Sequence, residues 1–258
     1  DNCSTDSSAE IFKKIEDKRF KYFKTKKKIK LYASRNFALK KTNGDYIAFL
    51  DTDDWWSNNF LSSRKNFFLS SDEYGFSFSN YLHYYENRKK FEVYLKKKLP
   101  SGFILNSLLN DYFIKISTII IKKKLIKSYR FNPYYNIIGD YDFILRISQK
   151  FKAMAFQEKL ATIRFHKDNF THNNRKIFYQ EYKKWISDQN FGNKIFKKNK
   201  LKLFQRLEYL KLIYLILSKK SFKLFFDIIK YPLFFVKLKL LTIYLLPEFI
   251  IKLKEKYF

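Results

Sequence analysis

Short apolar runs bounded by turn residues predict the strands of this chain. The clearest is YIAFLD, residues 46–51, which is apolar at nearly every position. Because a strand covered on both faces needs apolar side chains on both, this pattern predicts a central, buried strand. The other predicted strands lie at residues 28–33, 74–85 (as one strand or two), 91–100, 116–126 (running into a helix or turn) and 154–166.

Apolar residues at helical spacing alternate with these strands. In residues 139–151, for example, Phe143, Ile144, Ile147 and Phe151 fall on one side of a helix. Alternating strands and helices imply a layered α/β domain with a largely parallel sheet. The other predicted helices lie at residues 7–18, 34–44 (ended by Gly44), 58–71, 102–113, 175–191 and, broken by Pro232 and Pro247, 201–258.

The chain is strongly basic. Its 53 Lys and Arg against 24 Asp and Glu give a formal net charge of +29, which favours an anionic partner: nucleic acid, anionic lipid or a phosphorylated substrate. Lys, Phe, Tyr, Ile and Asn dominate the composition, as an A/T-rich genome would encode, so mutational bias explains part of the charge. The single cysteine, Cys3, provides no disulfide framework and fits a reducing, cytoplasmic compartment.

One acidic turn stands out in this basic chain. Asp51, Asp53 and Asp54 follow the predicted central strand directly, in the sequence AFLDTDDWW. The carboxyl end of a parallel strand is where open α/β sheets bind ligands, and carboxylates there can hold Mg²⁺ or Mn²⁺. Such a cation neutralises a diphosphate and makes it a better leaving group. The alternative is a solvated turn in which Asp54 or Ser57 caps the next helix.

Two further positions carry candidate chemistry. Asp140 and Asp142 begin a predicted helix, where a carboxylate either caps the helix or acts as a general base on a hydroxyl. His166 follows the last predicted strand, next to polar residues. Lone histidines are more often structural, and we interpret His83 and His172 in that way. His166 gains interest only from its place in the order of the motifs.

The order of four motifs resembles the family 2 glycosyltransferases. The motifs are DNCSTD, SRNFALKKTNGDYIAFLDTDDWW, IIGDYDFILRIS and IRFHKDN. The resemblance implies an α/β, Rossmann-like nucleotide-diphospho-sugar transferase fold of the GT-A type with a mixed central sheet. We expect this catalytic domain over residues 1–175, followed by a basic amphipathic helical extension over residues 176–258.

The resemblance also assigns roles to particular residues. Asp140 corresponds to the base of inverting members, although Gly139 stands where the family has a glutamate. Asp142 and Arg146 are interpreted as support for the helix. The implied nucleotide-sugar contacts are Asp1, Asn2, Arg35, Asn36, Asp51 and Asp53, and the implied ligands of Mg²⁺ or Mn²⁺ are Asp53, Asp51 and His166.

A reaction and its partners follow from the same resemblance. The expected activity is metal-dependent, inverting transfer of a sugar from a nucleotide-diphosphate donor to an acceptor hydroxyl, on a glycan or lipid-linked saccharide of the cell surface. The family's opening strand and nucleotide loop would precede Asp1. Because the chain begins DNCSTDSS without a methionine, we expect it to be the remainder of a longer polypeptide, poorly active or inactive by itself.

The C-terminal part has a pattern of its own. From Lys194 onward, sixteen Lys or Arg and four Asp or Glu are interleaved with Leu, Ile, Phe and Tyr. A basic amphipathic helix of this kind either binds an anionic membrane surface, here the inner face of the plasma membrane, or packs on the catalytic core. The rival class is a basic nucleic-acid- or membrane-binding protein without catalytic activity. We do not expect nucleic acid as a partner, because the aromatic residues fall largely in core-like runs.

Overall fold

The computed structural model describes residues 1–70, 73–94, 97–218 and 220–246, in which strands and helices alternate. The strands are β1 (Tyr46–Ala48), β2 (Trp55–Trp56), β3 (Tyr74–Tyr85), β4 (Lys90–Val93), β5 (Ile120–Lys122) and β6 (Lys152–Phe165). The helices are α1 (Ser8–Lys13), α2 (Leu31–Leu39), α3 (Lys65–Leu69), α4 (Leu105–Asn110), α5 (Lys123–Ser128), α6 (Gly139–Ser148), α7 (Phe170–Asn173), α8 (Arg175–Ser187), α9 (Lys194–Ser218), α10 (Phe222–Ile229) and α11 (Phe234–Leu245), with single 3₁₀ turns at Ser62–Arg64, Glu86–Arg88 and Ile116–Thr118.

The described strands form one mixed sheet, which confirms the α/β class. Their order is β1-β5-β3-β6-β2, and β4 pairs with the later half of β3. β3 and β6 are parallel, whereas the other pairs are antiparallel, so the expectation of a largely parallel sheet is wrong for this part of the chain. One cause is local: β3 and β4 are joined by a tight turn with Lys89 in a left-handed conformation, and a tight turn can join only antiparallel strands.

β1 is not the central strand that its apolar run predicts. It lies at one end of the order of described strands, and only Ile47 of its three residues is buried. The apolar run continues beyond the strand, where Phe49 packs on the core and Leu50 is exposed. The central position belongs to β3, which pairs with β4, β5 and β6 and buries most of its residues.

Helix α2 replaces the strand predicted at residues 28–33, which is wrong from Leu31 onward. The helix turns Tyr32, Asn36 and Leu39, spaced four and three residues apart, toward the rest of the molecule, with Tyr32 and Leu39 fully buried. Burial on a helical repeat therefore outweighs the short alternating pattern that suggested a strand. The same helix carries Arg35 beside Tyr32, which matters for the site.

The C-terminal helices belong to two packed clusters. Tyr182 and Trp185 of α8, with Phe196 and Leu203 of α9, join the main hydrophobic core under the sheet. The end of α9 forms a second, smaller cluster with α10 and α11. Within the described ranges, no helix combines the length and apolarity that crossing a bilayer demands. Pro247, predicted to break the last helical segment, lies outside the described residues.

Gly139, the first residue of α6, lies against the ring of Tyr32. A Cβ atom at position 139 would approach two ring carbons of Tyr32 to 2.4 Å, so that something must move. We expect Gly139→Ala to lower the free energy of unfolding by about 1 to 3 kcal/mol, the usual cost of overpacking a buried contact. Urea unfolding followed by circular dichroism measures this free energy.

The matched control removes the ring. In a Tyr32→Ala background the space beside Gly139 is empty, so Gly139→Ala should cost little there. An equal loss of stability in both backgrounds would show that the contact between ring and helix is not the cause.

Candidate active site

The acidic turn and the histidine predicted to act together lie at one edge of the sheet. β1 and β3 are each antiparallel to β5, and β3 is parallel to β6, so β1, β3 and β6 end at the same side. A cleft of about 390 Å³ opens there, beside the first turn of α6. Among the described residues its charged lining comprises the carboxylates Asp51, Asp53, Asp54 and Asp140 and the cations Arg35, Lys115, Arg164 and Arg175.

Asp51 forms an ion pair with Arg35. The guanidinium donates to Asp51 Oδ1, and the Asp51 backbone N–H donates to Ser117 Oγ at 3.2 Å. Burial raises the pKa of Asp51, and Arg35 offsets part of this rise. Burial by itself would lower the pKa of Arg35, but the neighbouring Asp51, Tyr32 and Asp140 leave it raised. Arg35 therefore keeps its charge, and the charge of Asp51 is largely neutralised inside the cleft.

Asp53 faces His166. Asp53 Oδ2 lies 3.0 Å from His166 Nε2, and the Asp53 side chain is 37% exposed. The Asp168 backbone N–H donates to His166 Nδ1 at 3.3 Å, which places the proton of the neutral ring on Nε2, toward Asp53. The His166 backbone N–H donates to Asn169 Oδ1 at 2.8 Å, and this bond fixes the segment after β6. The structure therefore brings together two predicted site residues that lie 113 positions apart in the sequence.

Asp54 is turned inward. Its Oδ2 accepts from Ser117 Oγ at 2.6 Å and its Oδ1 accepts from the Arg164 backbone N–H at 3.1 Å. Burial raises the pKa of Asp54 to about 6, although these two hydrogen bonds act in the opposite direction. With both oxygens engaged by the protein, Asp54 joins the acidic turn to its neighbours and leaves Asp53 as the exposed carboxylate of the pair.

Asp140 lies in the first turn of α6 and lines the cleft. Its Oδ1 accepts from Tyr32 Oη at 3.1 Å and from the Tyr141 backbone N–H at 2.8 Å. Asp142, on the same helix, pairs instead with Arg146 at 2.8 Å, away from the cleft. The two carboxylates of this motif thus have different surroundings, and Asp140 is the one in reach of a ligand.

Glu181 of α8 supports the approach to α6. Its Oε1 accepts from the Asn136 backbone N–H at 2.6 Å, and its Oε2 accepts from Ile137 N–H at 2.9 Å and Ile138 N–H at 3.2 Å. These N–H groups precede the helix and have no partner within it, so a carboxylate stabilises them well. A residue of the predicted C-terminal extension therefore fixes the segment that carries Asp140.

Three predicted nucleotide contacts have other partners in the structure. Asn36 exchanges two hydrogen bonds with the backbone of Phe131, at 2.8 and 3.1 Å, and Asn2 does the same with Ile29, at 2.7 and 2.9 Å. The Asp1 carboxylate accepts from Ser4 N–H at 2.7 Å. None of Asp1, Asn2 and Asn36 lines the cleft, although Asn2 fixes the residues just ahead of α2. Their roles toward a nucleotide stay predictions.

The cleft offers a partial set of metal ligands. Over the described part of the chain, no three His, Cys, Asp or Glu side chains are placed to hold a metal ion together. Asp53 and His166 supply two donors, while Asp51 is paired with Arg35. A divalent cation that keeps substrate phosphates among its ligands needs only one or two protein donors, so these residues fit a cation bound together with a diphosphate.

Sequence reasoning missed several residues that line this cleft or support its walls. Tyr32 was missed because residues 28–33 were predicted to be a strand. In the helix that forms instead, Tyr32 and Arg35 are three residues apart and lie on one face. Ser117 and Glu181 carry no local signal, since each acts on a segment more than 40 positions away. Lys115, Arg164 and Arg175 are hidden among the many other basic residues.

Comparison with known proteins identifies the family of this chain. Residues 1–204 match Glycosyl transferase family 2. The chain is 34% identical over 150 residues (58% of this chain, 57% of the relative) to the UDP-Glc:alpha-D-GlcNAc-diphosphoundecaprenol beta-1,3-glucosyltransferase WfaP of Escherichia coli. It is 33% identical over 165 residues (63% of each chain) to an uncharacterized glycosyltransferase of Haemophilus influenzae. A putative teichuronic acid biosynthesis glycosyltransferase, TuaG of Bacillus subtilis, is 34% identical over 83 residues (31% of this chain, 32% of the relative).

The alignments cover 57% and 63% of the length of the first two relatives, which is less than two thirds of either. The family match, by contrast, extends over most of the present chain and includes α8 and the start of α9. The chain therefore belongs to glycosyl transferase family 2 and has its Rossmann-like, GT-A-type fold with a mixed sheet and C-terminal helices.

Proposed function

We propose that this chain transfers a sugar from a nucleotide-diphosphate donor to an acceptor hydroxyl. The observation that carries the proposal is the grouping of Asp53, Arg35 and Asp140 around one cleft, with His166 in contact with Asp53. A diphosphate-binding side and a separate carboxylate are the two components that this reaction needs. Family membership supports the same reaction class.

In the proposed mechanism Asp140 is the general base. It takes the proton of the acceptor hydroxyl while that oxygen attacks the anomeric carbon and the bond to the diphosphate oxygen breaks. Attack from the side opposite the leaving group inverts the configuration. The leaving diphosphate gains negative charge, which Arg35, Lys115 and Arg164 on the cleft wall would stabilise.

We further propose that Mg²⁺ or Mn²⁺ is the cofactor. Asp53 and His166 would hold it, and when bound the cation neutralises the departing diphosphate. The mixed oxygen and nitrogen donor pair suits Mn²⁺ well, because imidazole is a poorer ligand for Mg²⁺. To bind through Nε2, the neutral His166 ring would have to carry its proton on Nδ1 instead, where the Asp168 backbone N–H donates in the structure.

The names of the relatives suggest substrates to examine first. The E. coli relative is named for UDP-glucose as donor and a GlcNAc-diphosphoundecaprenol acceptor. We therefore propose UDP-glucose as the first donor and a lipid-linked saccharide of cell-surface polysaccharide synthesis as the acceptor class. Metal-dependent release of UDP from UDP-glucose, increased by acceptor, would support the enzyme. Salt-sensitive DNA binding with no response to any sugar nucleotide would favour the noncatalytic rival.

An anionic membrane surface is proposed as a further partner, through α10 and α11. Phe222, Phe234 and Phe235 expose 77%, 63% and 84% of their surfaces, and Leu245 exposes 71%. Lysines recur between these apolar residues, as in helices that lie in the interface with anionic headgroups. This partner is consistent with the proposed lipid-linked acceptor, and we propose the inner face of the plasma membrane as the location.

Asp140→Asn tests the base. We expect kcat to fall by about 10²- to 10⁴-fold, the usual contribution of a general base, while the Kd for the donor nucleotide changes little. Initial rates give kcat, and calorimetric titration with UDP gives the Kd. Asp142→Asn, whose carboxylate pairs with Arg146 outside the cleft, is the matched control and should retain kcat. Loss of UDP binding in Asp140→Asn would refute the assignment.

Asp53→Asn tests the metal site. Because Asp53 is the exposed carboxylate of the turn, we expect the Kd for Mn²⁺ in the presence of UDP to rise about tenfold or more. Electron paramagnetic resonance of free Mn²⁺ gives this constant. Asp142→Asn, at a carboxylate that pairs with Arg146 outside the cleft, should leave this constant nearly unchanged. Equal effects of the two substitutions would argue against Asp53 as the ligand.

Flotation with vesicles tests the membrane surface. The protein should float with phosphatidylglycerol vesicles and not with phosphatidylcholine vesicles, because the lysines need anionic headgroups. Replacing Phe234 and Phe235 by Ser should weaken binding by about tenfold or more, since each phenyl group buries apolar area in the interface. Phe103→Ser, at an equally exposed ring outside these helices, should have no effect. Binding that survives the double change would exclude this face.

A further inference from the structure

Tyr32 lies beneath the carboxylate that we propose as the base. It is 2% exposed, and its hydroxyl lies 3.1 Å from Asp140 Oδ1 and 3.0 Å from the carbonyl oxygen of Ile137. A phenol has a single proton to donate, so these two acceptors compete for it. Burial, followed by the negative charge of Asp140, raises the pKa of Tyr32 well above its ordinary value, so the hydroxyl keeps that proton.

The hydrogen bonds divide the two oxygens of Asp140 between the protein and the cleft. Tyr32 Oη and Tyr141 N–H both donate to Oδ1. No described residue donates a hydrogen bond to Oδ2. Oδ2 is therefore the oxygen available to an acceptor hydroxyl, and its orientation depends on the donors that hold Oδ1.

Gly139 makes this arrangement possible. The Tyr32 ring occupies the space of a side chain at position 139, since even a Cβ there would lie 2.4 Å from the ring. Phe131 packs on the ring, with centroids 5.4 Å apart, and the Arg35 guanidinium carbon lies 5.1 Å from its centroid. The ring is thus fixed on several sides, and only its hydroxyl hydrogen is free to turn.

We propose that Tyr32 is a positioning residue for Asp140. Its hydroxyl holds Oδ1 of the ionised carboxylate, leaves Oδ2 facing the acceptor, and turns to the Ile137 carbonyl once Asp140 has taken the proton. Because a charged acceptor makes the stronger hydrogen bond, the Tyr32 proton follows the charge of Asp140. The proposal rests on Asp140 being the base of the proposed transfer reaction.

Tyr32→Phe is the decisive variant, because it removes the hydroxyl and keeps the ring. We expect kcat to fall by about 10- to 100-fold, as for loss of a hydrogen bond to a charged group, with the donor KM changed less than about threefold. The acid limb of the kcat–pH profile should move to higher pH, since the carboxylate loses a donor. Arg35, Asp51 and Tyr112, the other groups that interact electrostatically with Asp140, remain unchanged.

Tyr112→Phe is the matched control. Its buried hydroxyl interacts with Asp140 through space but has no hydrogen-bond partner in the described structure. This variant should leave both kcat and the pH profile unchanged. A purely structural role for Tyr32 would lower kcat without moving the acid limb, and that result would overturn the proposal.

A second measurement works without catalysis. In protein labelled with ¹³C at the aspartate carboxyls, the Asp140 signal is assigned by its absence from Asp140→Asn. Its titration midpoint should be higher in Tyr32→Phe, and also in Gly139→Ala, where the ring is displaced. An unchanged midpoint in both would refute the proposal. If the chain transfers no sugar but the midpoint moves, the proposed function fails and the hydrogen bond between Tyr32 and Asp140 stands.

Discussion

The half-buried carboxylate of Asp54 makes the contacts on which the site depends. It receives a hydrogen bond from Ser117, ahead of β5, and another from the Arg164 backbone at the end of β6. Trp56, two residues further along the turn, donates to the Ser117 carbonyl at 2.7 Å. Burying a carboxylate is unfavourable, as its raised pKa of about 6 shows, unless hydrogen bonds compensate for the lost water. Here they join three distant segments and thereby place the rest of the acidic turn at the cleft.

The other acids of the cleft differ because each has a different partner. Asp51 faces a permanent cation, Asp53 faces an imidazole, and Asp140 faces a neutral phenol. A guanidinium compensates the charge of the carboxylate it pairs with, whereas a neutral phenol donates a hydrogen bond and adds no compensating charge. The different partners are the basis of the different roles proposed for these chemically identical groups, so in a chain of net charge +29 the proposed roles rest on local contacts and not on the overall charge.

What the sequence could predict follows from the range of the interactions involved. The α/β alternation, the acidic turn at the end of β1 and Asp140 at the start of α6 depend on neighbours within a few residues, and these predictions agree with the structure. The position of β1 in the sheet depends on pairing with β5, more than 70 residues away, which no local pattern contains. The contact between Tyr32 and Asp140 spans 108 positions. This contact requires α2 to be helical at Tyr32, which the local sequence pattern did not predict.

Glu181 makes contacts of similarly long range from the C-terminal helices. Its carboxylate binds three consecutive backbone N–H groups just ahead of α6, so the segment that carries Asp140 is fixed by a residue of α8. Tyr182 and Trp185, its neighbours on α8, are buried in the main core, and α8 packs along α9. α9 in turn shares a cluster with α10 and α11, which carry the exposed apolar face. A continuous set of packed helices thus connects that face to the cleft, so in the proposed arrangement the contact with the membrane would also set the direction in which the cleft opens.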